Sequence, residues 1–298
     1  GGTFAWTSGN CNNGDTTTIP AGATLNAITS NLHDFNSHHF VNNGTFNWTG
    51  GDLRSGNSGT FVNNANFSDN ASAAISNAYG GTAASFTNSV SGTYNKIAVG
   101  TATISIPFNN SGTVSVSNGT LAFTGGGTIG AGSNYVGVGQ ALLSTGTYLA
   151  SGLFNSSNLV LGGNAVLSGN ASLGGTFTWT SGNFNNGDTT TVPAGATFQA
   201  ITSNVHDFNS HHFVNAGTFN WTGGDLRSGN SGTFVNQTGG VFNDFASASI
   251  STAYGGTSAS FTNNGIYNKV GPGSTLVSLP FTNSNGTVSA STGTLQFG

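Results

Sequence analysis

The sequence predicts an all-β protein: a right-handed parallel β-helix, or β-solenoid, built from tandem units of about 173 residues. Three observations lead to this prediction. A long segment occurs twice, short runs alternate apolar and polar residues, and glycine-rich turns separate those runs. No stretch shows a helical period of useful length, and residues that favour helices are scarce.

The internal repeat sets the domain organisation. Residues 32–63 recur at 205–236 with only two substitutions, 173 positions later. A repeat of this length indicates one structural unit built twice along the chain. We therefore assign residues 1–173 to a first β-solenoid unit and 174–298 to a second, truncated unit that continues the first. Within the first unit, 124–173 is present only once.

The strands are predicted from alternation with a period of two. In GTFNWTG, Phe46 and Trp48 fall on one face of a strand, while Thr45, Asn47 and Thr49 fall on the other. Many such runs open with Gly-Thr and end at NNG, GG or SGNSG, whose residues accept sharp bends.

Short strands joined by frequent turns predict coils of about 20 residues stacked on one another. The four tryptophans alternate with polar residues, so we expect them in the interior rather than in a carbohydrate site: Trp6, Trp48, Trp179 and Trp221. Asn and Ser side chains at the bends should form hydrogen bonds from coil to coil. Few charges are expected, because like charges stacked above one another repel.

Composition narrows the functional classes. Only 4% of residues are charged and the net charge is −4. Nucleic acid is not an expected partner, because its binding needs clustered Lys and Arg. No run of about 18 apolar residues occurs, so membrane insertion by a helix is not expected. No signal peptide precedes Gly1, which indicates a processed or excised piece. Cys11 aligns with Phe184 in the repeat, which predicts a buried thiol, with an intermolecular disulfide as the alternative.

Several runs carry a family resemblance. FVNNGTFNWTGGDL, FNNSGTVSVSNGTLAFTGGG and FTNSNGTVSASTGTLQF resemble the degenerate repeats of filamentous-haemagglutinin-type adhesins and autotransporter passenger domains of bacteria. The resemblance covers nearly the whole chain and rests on the general pattern of residues rather than on one diagnostic motif. It implies a parallel β-helix, a secreted or cell-surface location, and a structural or adhesive role.

The histidines form the strongest candidate site. All six lie in two clusters with aspartate: His33, Asp34, His38 and His39, repeated as His206, Asp207, His211 and His212. Imidazole and carboxylate groups suit a divalent metal, the one cofactor that the sequence suggests, and a His–Asp pair can transfer protons. The other interpretation places them on an outward or intersubunit face, bonded to Asn and Ser. A bend between Asn36 and Ser37 would change which side chains share a face.

A second candidate is a docking ion pair. Asp52 and Arg54, repeated as Asp225 and Arg227, lie two residues apart and would share a strand face, where a local ion pair forms easily. Such a pair could be solvated, or could guide one subunit onto the next. Lys96 and Lys269 are expected to be isolated, solvated charges.

The chain is not expected to be an enzyme. A polysaccharide lyase or hydrolase needs carboxylates that converge on a groove. The first unit offers four aspartates spread along the chain, and Glu is absent. Ice binding would need the Thr-x-Thr pattern in coil after coil. Thr16 to Thr18 and Thr101 to Thr103 show this pattern, but it does not recur regularly along the chain.

The sequence therefore favours a structural subunit of an extracellular fibre, sheath or surface layer. Its expected partner is itself, through head-to-tail or lateral contacts, because an uncovered coil edge is a template for another chain. The alternative is an adhesin stalk that binds a glycan or a host or neighbour surface. An ice-binding protein or a polysaccharide-acting enzyme is a weaker alternative.

Overall fold

The computed structural model describes residues 1–298 and consists of strands and turns, without helices. It is a parallel β-solenoid of about 14 turns, as the sequence predicted; its predicted right-handed sense stays a prediction. The chain forms two compact units, Gly1–Tyr148 and Leu149–Gly298. They divide inside the single-copy stretch, so they differ from the repeat-based units.

The structure has no helix with the length and apolar character needed to cross a membrane.

The first compact unit contains three short strands in each turn, and the last strand of this series spans the boundary between the two units. In chain order, they are β1 (Thr3–Trp6), β2 (Gly9–Asn10), β3 (Thr16–Ile19), β4 (Thr24–Ala27), β5 (His33–Asp34), β6 (His39–Asn42), β7 (Thr45–Trp48), β8 (Leu53–Ser55), β9 (Thr60–Asn63), β10 (Asn66–Asp69), β11 (Ala74–Asn77), β12 (Ser85–Asn88), β13 (Thr93–Lys96), β14 (Thr101–Ile104), β15 (Phe108–Asn110), β16 (Thr113–Val116), β17 (Thr120–Phe123), β18 (Gly127–Ile129), β19 (Asn134–Val136), β20 (Gln140–Leu143) and β21 (Thr147–Ala150).

The second compact unit begins with two longer strands and then resumes the three-strand pattern. Its strands are β22 (Gly152–Leu161), β23 (Val166–Ser168), β24 (Ala171–Trp179), β25 (Asn183–Phe184), β26 (Thr189–Val192), β27 (Thr197–Ala200), β28 (His206–Asp207), β29 (His212–Asn215), β30 (Thr218–Trp221), β31 (Leu226–Ser228), β32 (Thr233–Asn236), β33 (Val241–Asp244), β34 (Ser249–Thr252), β35 (Ser260–Asn263), β36 (Ile266–Lys269), β37 (Ser274–Val277), β38 (Phe281–Asn283), β39 (Thr287–Ala290) and β40 (Thr294–Phe297). The first part of β24 pairs with β26 and its last part with β27, so this strand serves two faces.

In most turns every third strand stacks in parallel on the same face, whereas β22 pairs with β24 and β23 with β25. Leu25 on β4 pairs with Phe4 on β1 and with Phe46 on β7. Directly paired residues are therefore about one 20-residue coil apart, as the repeat texture indicates. Side chains alternate in and out along each strand, so a column of equivalent residues runs from turn to turn.

Aromatic side chains fill the interior of each compact unit. In the first, Phe46 and Phe67 stack with ring centroids 5.0 Å apart, and Phe67 and Tyr94 stack at 4.7 Å. Rings from another face meet them edge-on, as Phe61 meets Phe46 at 89°. Stacked and edge-to-face pairs are both favourable ring arrangements. All four tryptophans are 0–5% exposed, which confirms that they belong to the core.

A buried asparagine ladder lies at a bend of the first unit. The Nδ2 group of Asn42 donates to Oδ1 of Asn63 at 2.7 Å, Asn63 donates to Asn88 at 2.8 Å, and Asn88 donates to Asn110 at 2.9 Å. All four side chains are fully buried. The predicted coil-to-coil bonding by Asn is therefore confirmed, and it satisfies polar groups that burial would otherwise penalise.

The recurring Gly-Thr motif needs glycine for a steric reason. A Cβ atom at Gly44 would lie 2.4 Å from the carbonyl oxygen of Ala23 and 2.5 Å from that of Pro20. Any side chain there would push successive turns apart. Glycine allows the close backbone approach that this stacking requires.

Candidate functional site

The first histidine cluster is divided by a turn. His33 is the first residue of β5. Ser37 then adopts a positive φ of 60°, and the next strand, β6, begins at His39. The bend that the sequence suggested is therefore present. It gives the histidines different environments, because His33 and His38 are 0% and 5% exposed while His39 is only half-buried.

Each of these histidines bonds to a neighbouring turn. Nε2 of His33 lies 2.9 Å from the carbonyl oxygen of Trp6 and therefore donates to it. Nε2 of His38 lies 2.9 Å from the Thr17 hydroxyl, and Nδ1 of His39 lies 2.8 Å from that of Thr60. The expectation of an outward face bonded to Asn and Ser is wrong for His33 and His38. Their rings lie in the interior, beside aromatic side chains.

The second cluster repeats this arrangement. His206 and His211 are 0% exposed, and Nε2 of His206 lies 3.1 Å from the Trp179 carbonyl oxygen. Burial lowers the pKa of His211 to about 3 and also lowers that of His206. Half-buried His212 bonds to the Thr233 hydroxyl at 2.9 Å. The two interior rings are therefore neutral parts of the core.

The histidine and aspartate side chains do not converge. No group of three or more His, Cys, Asp or Glu side chains in residues 1–298 is arranged to hold a metal ion. Asp34, which follows His33, pairs with an arginine instead. Nδ1 of His33, His38, His206 and His211 is buried without a hydrogen-bond partner. Nδ1 of His33 faces Gly51 and Nδ1 of His206 faces Gly224, so these atoms do not surround a shared centre.

The charged cluster connects adjacent turns. Arg54 donates through Nε to Oδ1 of Asp34 at 2.7 Å and through a terminal nitrogen to Oδ2 at 2.8 Å. The Tyr79 ring lies 5.8 Å from the guanidinium carbon. Asp34 is buried, which raises its pKa, but hydrogen bonds from Arg54 and Tyr79 and the arginine charge outweigh this and leave the pKa lowered. The expected local pair is wrong, since Asp52 instead accepts a hydrogen bond from the Ala74 amide at 2.9 Å.

The equivalent pair in the second copy has the same geometry. Arg227 donates to the two carboxylate oxygens of Asp207 at 2.9 and 3.0 Å, and the Tyr254 ring lies 5.7 Å away. Asp225 accepts from the Ser249 amide at 2.8 Å. The arginine side chain is 35% exposed, so it remains accessible; its use in docking stays a prediction.

Both lysines are buried, which overturns their assignment as solvated charges. Lys96 and Lys269 are 0% exposed, as are Asp69 and Asp244 in the preceding turns. Each pair occupies directly opposed positions on neighbouring strands. The sequence analysis missed these two buried Lys–Asp pairs. Lys96 follows Tyr94 by two positions in the Tyr-Asn-Lys motif, so the two side chains point to the same, inward face of the strand.

Uncharged polar side chains form columns on an outer face. In the first unit, Asn47 donates to Asn26 at 2.8 Å and Asn95 donates to Asn66 at 2.6 Å. These side chains are half-buried and fixed by one another, so the face presents ordered amide and hydroxyl groups.

The threonine segments do not stack into ranks. Thr16 and Thr18 on β3 pair with His39 and Val41 on β6. Thr101 pairs with Thr120 on β17, but Thr103 pairs with Ala122, so the Thr-x-Thr pattern is not repeated there. The repeated Thr-x-Thr that ice binding would need is therefore missing at these segments.

The single cysteine is half-buried and carries a free thiol. Burial raises the pKa of Cys11, which keeps the thiol protonated. Its counterpart Phe184 is fully buried. The thiol is therefore less enclosed than the sequence suggested.

No protein-family model, curated protein or solved structure matches the chain.

Proposed function

We propose that this chain is a structural subunit of an extracellular fibre, sheath or surface layer. The main support is where its polar side chains bond. The asparagine ladder, the interior histidines and the Arg–Asp pairs each reach an adjacent turn, about one coil away in sequence. Such groups hold turns together and do not converge on a ligand. In this proposal the protein is not an enzyme, needs no cofactor and is secreted to the cell surface.

Self-assembly is the mechanism that we propose for this role. Leu149 on β21 and Leu153 on β22 are 54% and 50% exposed, so these strands present apolar side chains on an outer face. Exposed apolar side chains of this kind can pack against another copy of the chain. A lateral contact that does not close then propagates into an open assembly.

Light scattering across a concentration series, with negative-stain microscopy, tests this proposal. We expect elongated polymers, and we expect Leu153→Asp to reduce them. Val138→Asp is the matched control, because Val138 is 94% exposed but lies in a turn rather than on a strand. A monodisperse compact monomer at high concentration would contradict self-assembly.

The second candidate is an adhesin stalk that binds a neutral glycan. The uncharged columns that include Asn26, Asn47 and Asn95 favour it, since ordered amide and hydroxyl groups suit sugar hydroxyls. A glycan array distinguishes the two functions. Saturable binding to one glycan class, lost when Asn47 and Asn95 are replaced by Asp, would favour the adhesin.

A further inference from the structure

The second compact unit contains a buried centre of a lysine, an aspartate and a tyrosine. Lys269 on β36 and Asp244 on β33 are directly paired across adjacent turns. Both side chains are 0% exposed, and Nζ lies 3.6 Å from the Asp244 Oδ1 atom. Burying two charges away from water is costly. Transfer of the ammonium proton to the carboxylate neutralises both groups and removes that cost.

The lysine nitrogen is held by two backbone carbonyl oxygens. Nζ of Lys269 donates to the carbonyl oxygen of Ala246 at 2.6 Å and to that of Gly271 at 2.9 Å. A neutral amine has two hydrogens and one lone pair. Once the ammonium proton has passed to Asp244, both remaining hydrogens serve the two carbonyl oxygens and the lone pair is free, with Oδ1 of Asp244 3.6 Å from the nitrogen.

The carboxyl group is held by hydrogen-bond donors on both oxygens. The Tyr267 hydroxyl donates to Oδ2 of Asp244 at 3.0 Å, and the Ala246 amide donates to Oδ1 at 3.0 Å. Burial raises the pKa of Asp244 and outweighs the nearby hydrogen bonds and the lysine charge, which makes this carboxylate easier to protonate. Two fixed donors would also stabilise the oxyanion that forms when a nucleophile attacks Cγ.

We propose that Lys269 and Asp244 condense into an amide bond that covalently joins two adjacent turns. The neutral Nζ attacks Cγ of the protonated carboxyl group, so that an Nζ–Cγ bond forms and the Cγ–OH bond breaks. The hydroxyl leaves with one proton from the amine, as water. Tyr267 and the Ala246 amide hold the oxygens during the attack. The step uses no oxidant, metal or other reactant.

The first compact unit supplies an internal comparison. Tyr94 donates to Oδ2 of Asp69 at 3.0 Å and the Ala71 amide donates to Oδ1 at 3.1 Å, as in the second unit. However, Nζ of Lys96 donates to the Ser72 hydroxyl at 3.4 Å and to a backbone carbonyl instead of approaching the carboxylate. The proposal is therefore confined to Lys269 and Asp244.

Intact-mass spectrometry of the purified full chain tests the bond. We expect a mass one water below that of the unmodified sequence, and a protease digest in which the peptides that contain Asp244 and Lys269 remain joined. The variants Lys269→Met and Asp244→Ala should have their unmodified masses. Tyr267→Phe should form the bond more slowly and leave a mixture of the two masses.

The wild-type result decides the proposal even where a variant fails to fold. An unmodified wild-type mass, or a joined peptide that contains Lys96 instead of Lys269, would overturn it. The cross-link would strengthen a fibre subunit but does not depend on that role. Failure of this test therefore leaves self-assembly to its own experiment.

Discussion

Replacing Asn88 by alanine tests the asparagine ladder, and we expect a large loss of stability. Asn88 accepts a hydrogen bond from Asn63 at 2.8 Å and donates to Oδ1 of Asn110 at 2.9 Å and to the Thr113 carbonyl oxygen at 3.0 Å. Each such bond contributes about 1 kcal/mol net, and a buried group left without a partner costs about 1–3 kcal/mol more. The free energy of unfolding of the first unit should therefore fall by about 3–5 kcal/mol.

Urea unfolding followed by tryptophan fluorescence measures this loss, with hydrogen exchange to place it in the chain. Asn118→Ala is the matched control, because its exposed side chain makes one hydrogen bond, to the Ile97 carbonyl oxygen, and should change stability by no more than about 0.5 kcal/mol. If Asn88→Ala and Asn118→Ala have the same midpoint, the ladder does not stabilise the fold, and the reasoning from buried amides is refuted.

Three further predictions concern the core, the pH dependence and the surface pair. Phe61→Ala should cost about 3–5 kcal/mol by denaturant unfolding, and an exposed control, Val138→Ala, less than about 0.5 kcal/mol. Burial lowers the pKa of His211 to about 3, so the unfolded chain, with a histidine pKa of about 6.5, gains the proton first as the pH falls. The stability given by neutral His211 should therefore be complete above about pH 6.5 and be lost progressively down to about pH 3. His211→Asn should flatten the decline in the denaturant midpoint, and an unchanged slope would contradict this. Arg227→Met should cost no more than about 1 kcal/mol, because its side chain is 35% exposed; a loss several times larger in a thermal melt would show that the pair is structural.

The fold class could be predicted because local pattern and packing agree at most positions. Alternation in GTFNWTG places Phe46 and Trp48 inside, and the structure leaves both 0% exposed. Repetition of that pattern every coil predicts stacked turns. The sequence left a bend between Asn36 and Ser37 open, and Ser37 adopts a positive φ of 60°.

The contacts of the charged residues could not be predicted, because they depend on register between turns. Arg54 and Asp52 are neighbours in sequence, yet the partner of Arg54 is Asp34, one coil earlier. Lys96 was judged by its charge alone, although Asp69 lies directly opposite it on the paired strand of the preceding turn. Sequence spacing within a strand gives the face of a side chain, but only the coil length gives its partner.

The central claim is that successive coils stack in parallel, with residues one coil apart in direct register. Paired cysteines test it most directly. In a Cys11→Ser background, Asn26→Cys and Asn47→Cys should form an intramolecular disulfide under mild oxidation, because these residues are directly paired and adjacent strands lie about 4.8 Å apart. Asn26→Cys with Asn95→Cys, which places the second cysteine three coils away in the same column, should not. Equal cross-linking of the two pairs, or none for Asn26 and Asn47, would contradict the stacked-coil account.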